Sequence, residues 1–265
     1  MTDADLGATR EILLANERFE VLEGGQGRFW ARVDEGRWEP ETFGFLARHC
    51  RAGTVLLDIG AWIGLMSLFA ARRGARVVAL EPDPVALRQL EANFARNALA
   101  VEAFPEALDL NEQAVRLFNA RHFGDSRSSL LPPAGGAPGD GIAAHAVTLE
   151  TLEARLPQGA RLVLKVDVEG HEYRLAEALA AFCHRHRAPI LLSLHPGAIA
   201  AAEAGRGAFR ARLSAIAQTR TLLRAFRGFR LSRVDGQPLS LRYLASRLLD
   251  RRGPRNFEIV AEPRR

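Results

Sequence analysis

Four polar side chains stand where apolar runs of the sequence end, and these are the places where chemistry on a ligand could occur. They are Asp58, Glu81, Asp167 and His195. Ligands of an open α/β sheet lie beyond the carboxyl ends of its strands, so the four side chains are expected to converge on one crevice. Carboxylates accept hydrogen bonds and attract cations, which suits a ligand that carries hydroxyl groups and positive charge.

A glycine turn follows the first of these residues in the pattern D-x-G-x-x-x-G, with glycines at 60 and 64. Glycine allows the backbone to approach a ligand closely, and Glu81, at the end of the next strand, can accept hydrogen bonds from both hydroxyls of a ribose. Dinucleotide-binding proteins instead use G-x-G-x-x-G, whose turn and helix N-terminus hold a pyrophosphate. Asp58 would repel a phosphate but attract an amine. The pattern favours S-adenosylmethionine over NAD, and a purely structural turn is the alternative.

The sequence resembles the FkbM-type methyltransferases over roughly residues 40 to 260. The matching segments are Leu57-Asp58-Ile59-Gly60-Ala61 with Gly64, Glu81-Pro82-Asp83 with Asn93 and Asn97, Thr148-Leu149, Leu164-Lys165-Val166-Asp167-Val168-Glu169-Gly170 with Glu172, and His195-Pro196. The run K-x-D-x-E-G is the most specific of them. The sequence departs from the family pattern at Trp62, Glu150 and Ser193, where Asn, Asp and Glu are usual.

This resemblance implies a Rossmann-like class I methyltransferase fold, an α/β fold with a mostly parallel central sheet and helices on both faces. It also implies S-adenosylmethionine as cofactor and methylation of a hydroxyl oxygen on a sugar or a secondary metabolite. The cofactor contacts that it implies are Asp58, Gly60, Ala61, Gly64, Glu81, Pro82, Asp83 and Asp167, with the backbone near Glu106 and Ala107 for adenine.

Methyl transfer from a sulfonium is an in-line displacement in which a base, not necessarily a strong one, helps to remove the acceptor proton. His195 is the leading base because it directly follows a buried strand and histidine has an ordinary pKa near 6.5, while His171 is the rival. Lys165, Asp167 and Glu169 share one side of an extended strand, and Lys165 and Asp167 are further catalytic candidates. The structural alternative is an ion pair between Lys165 and Asp167. Asp167 and Glu169 could instead hold a divalent metal that binds the acceptor hydroxyl.

Length and composition predict one large domain of 265 residues, with an embellishment over residues 1–50 and the methyltransferase domain over 51–265. The net charge of +5 names no partner, since all but one of the 36 basic residues are arginine. Cys50 and Cys183 are too far apart for a zinc motif, and the acidic start is not a signal peptide, so a cytoplasmic protein is expected. No apolar run approaches the roughly 20 residues of a membrane span.

Alternating strand and helix signals run from residue 41 onward and predict right-handed parallel crossovers. In the embellishment, a helix is expected over 10–16 and a hairpin of 19–22 with 28–33. The predicted strands are 55–57, 77–80, 101–104, 114–118, 161–168, 189–194, 229–234 and 257–260, and the helices are 41–49, 65–72, one capped by Asp83, 172–182 and 206–226. The loop 120–141 is predicted to be a lid, with disorder as the alternative.

Two other functions compete with the methyltransferase hypothesis. The first is an NAD-linked oxidoreductase, which the missing G-x-G-x-x-G disfavours. The second is a cofactor-binding protein without catalysis, such as an RNA-associated module, which would bind RNA in a salt-dependent manner. The leading expectation is an enzyme whose partner is a small molecule with a hydroxyl group. The sequence does not specify an oligomeric state.

Overall fold

The computed structural model describes residues 7–119, 121–132 and 141–264. The strands in chain order are β1 Thr9–Leu14, β2 Glu17–Leu22, β3 Thr54–Ile59, β4 Arg76–Leu80, β5 Glu102–Phe104, β6 Glu106–Leu108, β7 Gln113–Leu117, β8 Ile142–Val147, β9 Arg161–Val166, β10 Ile190–Leu194, β11 Phe229–Arg233 and β12 Phe257–Pro263. The helices are α1 Gly27–Asp34, α2 Pro40–His49, α3 Leu65–Arg72, α4 Pro84–Arg96, α5 Leu149–Ala154, α6 Glu172–His186, α7 Pro196–Ala202, α8 Ala208–Ala225 and α9 Leu241–Leu248.

The central sheet has seven strands in the order β11-β12-β10-β9-β3-β4-β5. The pairs from β10 to β5 are parallel, whereas β12 runs antiparallel to both of its neighbours. Every residue of β3 is buried, which explains why its sequence is a nearly continuous apolar run. Helices pack on both faces, so that Leu56 and Leu57 lie in different hydrophobic cores. The predicted Rossmann-like fold with a mostly parallel sheet is confirmed.

The four central strands bring their carboxyl ends to one edge of the sheet. In β3 and β9 the register pairs Asp58 with Lys165, and the chain beyond each strand turns toward the same crevice. Gly60 has a φ of +77°, and a Cβ atom there would lie 1.9 Å from the carbonyl oxygen of Asp167. Only glycine fits this close approach between the two loops. The glycine turn is therefore fixed by its contact with the loop after β9.

The N-terminal hairpin differs from the sequence prediction. Residues 10–16 are not a helix, because β1 pairs antiparallel with β2. Ala15 and Asn16 both have positive φ, at 45° and 71°, which is the backbone of a tight two-residue hairpin turn. Ile12 and Leu14 are buried, and the residues between and before them are more exposed. This alternation with a period of two is the signature of a strand.

The segment predicted as the second hairpin strand, 28–33, is helix α1 instead. Trp30 and Val33, three residues apart, are its buried positions, and this spacing belongs to one face of a helix. The predicted helix over 41–49 is confirmed as α2. The embellishment therefore consists of a hairpin followed by two helices.

A second sheet of three strands, in the order β6-β8-β7, lies beside the main one. The strand predicted near 114–118 is β7, and its partner β8 was not predicted. In the loop predicted as a lid, residues 120 and 133–140 lie outside the described residues. Among the residues that are described, no helix is both long and apolar enough to cross a membrane.

Candidate functional site

A cavity of about 1580 Å³ opens at the carboxyl ends of the central strands. Gly60, Glu81, Asp167 and His195 all line it, as the sequence predicted, but Asp58 does not. Ligand cavities are typically about 300 to 1000 Å³, so this one has room for two small molecules side by side.

Asp58 lies behind the glycine turn, fully buried. Its Oδ2 accepts a hydrogen bond from Ser67 Oγ at 2.7 Å, and its Oδ1 lies 3.1 Å from Lys165 Nζ. Lys165 Nζ also donates to the carbonyl oxygen of Gly60 at 2.7 Å. The partner of Lys165 is thus Asp58, and not Asp167 as in the structural alternative considered from the sequence. Burial alone would lower the pKa of Lys165, but the charges of Asp58 and Asp167 raise it above its ordinary value.

Glu81 faces the cavity with its carboxylate already fixed by two backbone groups. Its Oε2 accepts from the N–H of Trp62 at 2.7 Å, and its Oε1 accepts from the N–H of Asp83 at 2.8 Å. Each carboxylate oxygen can accept a second hydrogen bond, which leaves this side chain able to bind a pair of hydroxyls. Burial raises the pKa of Glu81 to about 7.

Asp83 joins helix α4 to the loop after β7. Its Oδ1 accepts from the N–H groups of Val85 and Ala86 at 2.9 and 3.4 Å, which is the predicted helix cap. Its Oδ2 accepts from Gly124 N and from Ser128 Oγ, both at 2.7 Å. One buried carboxylate therefore holds a helix start and the loop together.

The same loop is also held through the carbonyl group of Gly124. The carbonyl oxygen of Gly124 accepts from Trp62 Nε1 at 2.9 Å and from Gln26 Nε2 at 3.2 Å. Trp62, which departs from the family pattern, is thus the residue that ties the glycine turn to the loop. Sequence reasoning did not identify the role of Gln26, because it lies 98 residues from its partner.

His195 lies among three carboxylates. Its Nδ1 is 3.2 Å from Glu172 Oε1, and its Nε2 is 3.4 Å from Asp167 Oδ1 and 3.6 Å from Glu169 Oε1. Burial lowers the pKa of His195, but these carboxylates outweigh it and raise the pKa to about 10. The ring was expected to titrate near its ordinary pKa of about 6.5, and its surroundings instead favour the charged form.

The alternation of side chains along a strand does not predict the positions of Asp167 and Glu169 correctly. Strand β9 ends at Val166, and Glu169 has a left-handed φ of 49°, so the extended alternation stops before it. Lys165 turns toward the glycine loop, whereas Asp167 and Glu169 meet His195. The possible ligand atoms of these three residues all lie within 4.8 Å of one another. Burial raises the pKa of Glu169 to about 7.

His171 is buried and lines the same cavity but makes different contacts. Its Nε2 lies 3.2 Å from Asp109 Oδ1, and the same oxygen accepts from Arg174 Nε at 2.9 Å. Burial lowers the pKa of His171 below its ordinary value, although Asp109 opposes this effect. The ring is therefore oriented by one carboxylate and favours its neutral form.

Two further carboxylates, Glu39 and Glu258, line the cavity and were not predicted. Thr42 Oγ1 donates to both oxygens of Glu258, at 3.1 and 3.2 Å. Burial and mutual repulsion raise the pKa of Glu39 to about 8, and burial together with the charge of Asp167 raises the pKa of Glu258 to about 7. No sequence motif identifies these two residues, because the fold brings them together from opposite ends of the chain.

The remaining predicted cofactor residues divide into two groups. Ala61, Pro82, Glu106 and Ala107 line the cavity, and the carboxylate of Glu106 is held by Arg155. Gly64 precedes helix α3 in a left-handed conformation with a φ of +82°. It shapes the turn without lining the cavity.

The family profile described as the methyltransferase FkbM domain matches residues 58–196, which is more than half of the chain. The protein belongs to the FkbM methyltransferase family. The matched region contains the glycine turn, Glu81, the loop after β9 and His195. S-adenosylmethionine is accordingly its cofactor, and the expectation of an NAD-linked oxidoreductase is not supported.

Curated relatives match parts of this family member. The ribosomal protein L11 methyltransferase of Pelotomaculum thermopropionicum is 32% identical over 145 residues, 51% of this chain and 47% of the relative. The antimetabolite synthetase AmbE of Pseudomonas aeruginosa is 56% identical over 52 residues, 19% of this chain and 2% of the relative. The chain spans less than half the length of the curated relatives that it matches.

Solved structures are similar over most of the chain at low sequence identity. An FkbM methyltransferase from Methylobacillus flagellatus has a TM-score of 0.42 and 13% identity, covering 83% of this chain and 50% of that one. An rRNA methylase from Streptococcus thermophilus has a TM-score of 0.45 and 11% identity, covering 84% of this chain and 95% of that one.

The residues of the cavity fit the cofactor of this family. Glu81 is a buried carboxylate with acceptor capacity left for the two ribose hydroxyls, and Gly60 and Ala61 present backbone groups to the same space. These residues, together with Pro82, would hold the nucleoside and methionine parts. Asp58 would act from behind the turn through Lys165 rather than by touching the cofactor.

Proposed function

We propose that this protein methylates a hydroxyl oxygen of a small molecule, such as a sugar or a secondary metabolite. The observation that supports it is the wall of the cavity beyond the glycine turn, where carboxylates and histidines are concentrated. Glu39, Asp167, Glu169, His195 and Glu258 all line this part. A second molecule with several hydroxyl groups would find many hydrogen-bond acceptors there.

The charges in this region favour such an acceptor over RNA. Asp167 and Glu258 are close enough to Glu39 for their negative charges to raise its pKa, so this wall concentrates carboxyl groups that disfavour any further negative charge. RNA approaches a protein through its phosphates, which carboxylates repel. Arginines also line the cavity, including Arg32 and Arg233, and they supply donors for the same polar acceptor.

The chain has three tasks in methyl transfer. When bound, S-adenosylmethionine supplies an electrophilic methyl group on its sulfonium. The protein must hold the acceptor oxygen in line with that methyl group, exclude competing water, and receive the hydroxyl proton as the new carbon–oxygen bond forms. We assign the exclusion of water to the loop 121–132, because Asp83 and Trp62 anchor it along the cavity.

His171 is the better placed of the two histidines to receive the proton. Its Nε2 contacts Asp109, which orients the ring and leaves the other nitrogen free of that contact. Both ring nitrogens of His195 already face carboxylates, from Glu172 on one side and from Asp167 and Glu169 on the other. His195 would have to give up such a contact in order to act as the base.

Calorimetric titration followed by an acceptor screen tests the proposed function. Purified protein should bind S-adenosylmethionine and S-adenosylhomocysteine saturably and should not bind NAD. Labelled methyl groups should then pass to members of a panel of sugars and hydroxylated natural products, while RNA transcripts in parallel reactions stay unlabelled. Transfer to RNA alone would overturn the choice of acceptor, and absence of cofactor binding would overturn the activity itself.

A further inference from the structure

Three side chains from two neighbouring loops form a compact cluster at the acceptor end of the cavity. Asp167 and Glu169 follow β9, and His195 follows β10, the parallel strand beside it. The nearest distances from His195 Nε2 are 3.4 Å to Asp167 Oδ1 and 3.6 Å to Glu169 Oε1. The carboxylates are each about a quarter exposed toward the cavity, whereas the side chain of His195 is only 6% exposed.

A separate set of contacts holds this cluster in position without joining it. Glu172 is fully buried, and its Oε1 accepts from the main-chain N–H of His195 at 2.7 Å and lies 3.2 Å from Nδ1 of the same residue. Its Oε2 accepts from Gly170 N at 2.8 Å, so one carboxylate orients both the imidazole and the loop that carries Glu169. Ser129 Oγ also donates to the carbonyl oxygen of Glu169 at 2.9 Å.

This arrangement has the features of a metal site of the catalytic type. Metal-binding histidines commonly give their other ring nitrogen to a carboxylate, which fixes the tautomer and the ring direction, as Glu172 does for His195. Glu169 has a left-handed backbone with a φ of 49°, which is uncommon for a residue other than glycine and often marks a functional site. Three protein ligands leave further coordination positions open to ligands from the cavity.

The charges around this cluster also favour a bound metal ion. Asp167 and Glu169 of the cluster, together with the supporting Glu172, surround a single imidazole, so these groups carry more negative than positive charge. Lys165, the nearby amine, is already engaged by Asp58 and by the carbonyl of Gly60. Arg127 is the other cation that acts on Glu169. A divalent cation would balance this charge where burial makes uncompensated carboxylates costly.

We propose that Asp167, Glu169 and His195 bind one divalent cation, which displaces the proton from His195 Nε2, and that Glu172 positions His195 for this role. One imidazole and two carboxylates favour an ion that accepts both nitrogen and oxygen ligands, and Mn²⁺ meets this requirement. Open positions on the ion would be available to the acceptor hydroxyl, whose coordination would lower its pKa and ease transfer of its proton to His171, the proposed base. Only this last step rests on the proposed function, because cation binding itself needs neither cofactor nor acceptor.

Electron paramagnetic resonance with Mn²⁺ alone tests the site directly. Protein stripped with EDTA should reduce the signal of free Mn²⁺ to a saturation point of one ion per chain. His195→Ala and Glu169→Gln should each weaken binding at least tenfold, and Glu172→Gln should weaken it less. Glu11→Gln is the control: it removes a carboxylate at an exposed position of β1, outside the cavity lining, so Mn²⁺ affinity should persist.

Calorimetry of the same variants with S-adenosylmethionine separates loss of the metal from loss of the fold. His195→Ala and Glu169→Gln should bind the cofactor as the unmodified protein does. Absence of saturable Mn²⁺ binding, or equal affinity in all variants, would overturn the metal site while leaving the proposed methyl transfer intact. Mn²⁺ binding in a protein that does not bind the cofactor would support the metal site and overturn the proposed methyl transfer.

Discussion

Asp58 and Lys165 are directly paired in the register of the two central parallel strands and form an ion pair 3.1 Å long. Both side chains are almost completely buried, at 0% and 7% exposed. Because Lys165 also donates to the carbonyl of Gly60, the pair connects the middle of the sheet to the turn that faces the cavity. Asp58 therefore supports the site from behind, through Lys165, which lines the cavity itself.

Removal of one member of this pair should be strongly destabilising. Lys165→Met leaves Asp58 charged and buried without a partner, and such changes cost about 3 to 5 kcal/mol. The free energy of unfolding in urea measures the effect. The double variant Asp58→Leu with Lys165→Met should regain part of the loss, since it leaves no unpaired charge. A loss below about 1 kcal/mol would indicate a pair with the weak coupling of a surface salt bridge.

Glu81 should control cofactor affinity. Glu81→Ala removes the acceptor proposed for both ribose hydroxyls, so S-adenosylmethionine should bind more than tenfold more weakly, a loss of about 1.4 kcal/mol or more. Calorimetry measures the affinity, and circular dichroism verifies that the variant is folded. Unchanged affinity in a folded variant would exclude the ribose contact.

The same residue gives cofactor binding a pH dependence. The pKa of Glu81 in the protein is about 7, and hydroxyl donors favour the ionised carboxylate. Below this pKa the carboxyl group must lose its proton when the cofactor binds, so affinity should increase from pH 6 to pH 8. Glu81→Gln cannot ionise and should flatten this profile. An equal slope in both proteins would assign the dependence to another group.

Local chemistry made parts of this site readable from the sequence. The buried strand before Gly60, the cap at Asp83 and the acid at Glu81 each depend on neighbours within a few residues. The turn at Ala15 and Asn16 was missed because neither residue is glycine, although both adopt positive φ. Such local signals fail where a residue other than glycine adopts a positive φ.

Other features of the site depend on the order of strands in the sheet, which could not be predicted from the sequence. Glu258 reaches the cavity because β12 lies between β10 and β11 and runs antiparallel to both. The link from Trp62 to Gly124 joins two loops 62 residues apart. His195 was recognised as a site residue, but the three carboxylates that surround it come from elements placed by long-range packing. Their effect on its pKa could not be anticipated from its position after a strand.

Trp62→Phe should loosen the loop over the cavity. Phenylalanine keeps the aromatic packing on Phe29, whose ring centroid is 4.8 Å away, but lacks the N–H that binds the carbonyl of Gly124. Loss of this hydrogen bond is worth about 0.5 to 1.5 kcal/mol. Limited trypsin digestion should therefore cut faster after Arg121 and Arg127, with the thermal midpoint nearly unchanged. Equal cleavage rates would show that the remaining contacts of the loop with Asp83 and Gln26 are sufficient to hold it.

Measurements of kcat and of Mn²⁺ affinity should distinguish the roles of His171 and His195. His171→Gln should lower kcat by about 100-fold, the usual scale for loss of a general base, while Mn²⁺ and cofactor affinities remain normal. His195→Ala should lower activity together with Mn²⁺ affinity. His145→Gln, on the exposed side of β8, is the control for histidine loss and should have normal kcat. Normal turnover in His171→Gln would return the base role to the cluster around His195.

Glu39 and Glu258 should make the metal-free protein less stable as pH increases. Their pKa values in the folded protein, about 8 and about 7, lie above the ordinary glutamate value of 4.5, so the folded state retains protons that the unfolded state releases. The stability that they contribute is complete below about pH 4.5 and is lost as pH increases through 7 and 8. Thermal unfolding in EDTA should show a midpoint that falls between pH 6 and pH 9.

The double variant Glu39→Gln with Glu258→Gln should reduce this fall without abolishing it, because Glu81 and Glu169 also have raised pKa values and act in the same direction. Glu11→Gln, at an exposed position of β1, removes a carboxylate without this repulsion and should leave the slope unchanged. If the double variant and the control had the same pH slope, the two cavity carboxylates would not be repelling each other in the folded protein. Both groups would then have pKa values close to the ordinary glutamate value in the folded protein, and the acceptor end would be more negative at neutral pH than the raised values imply.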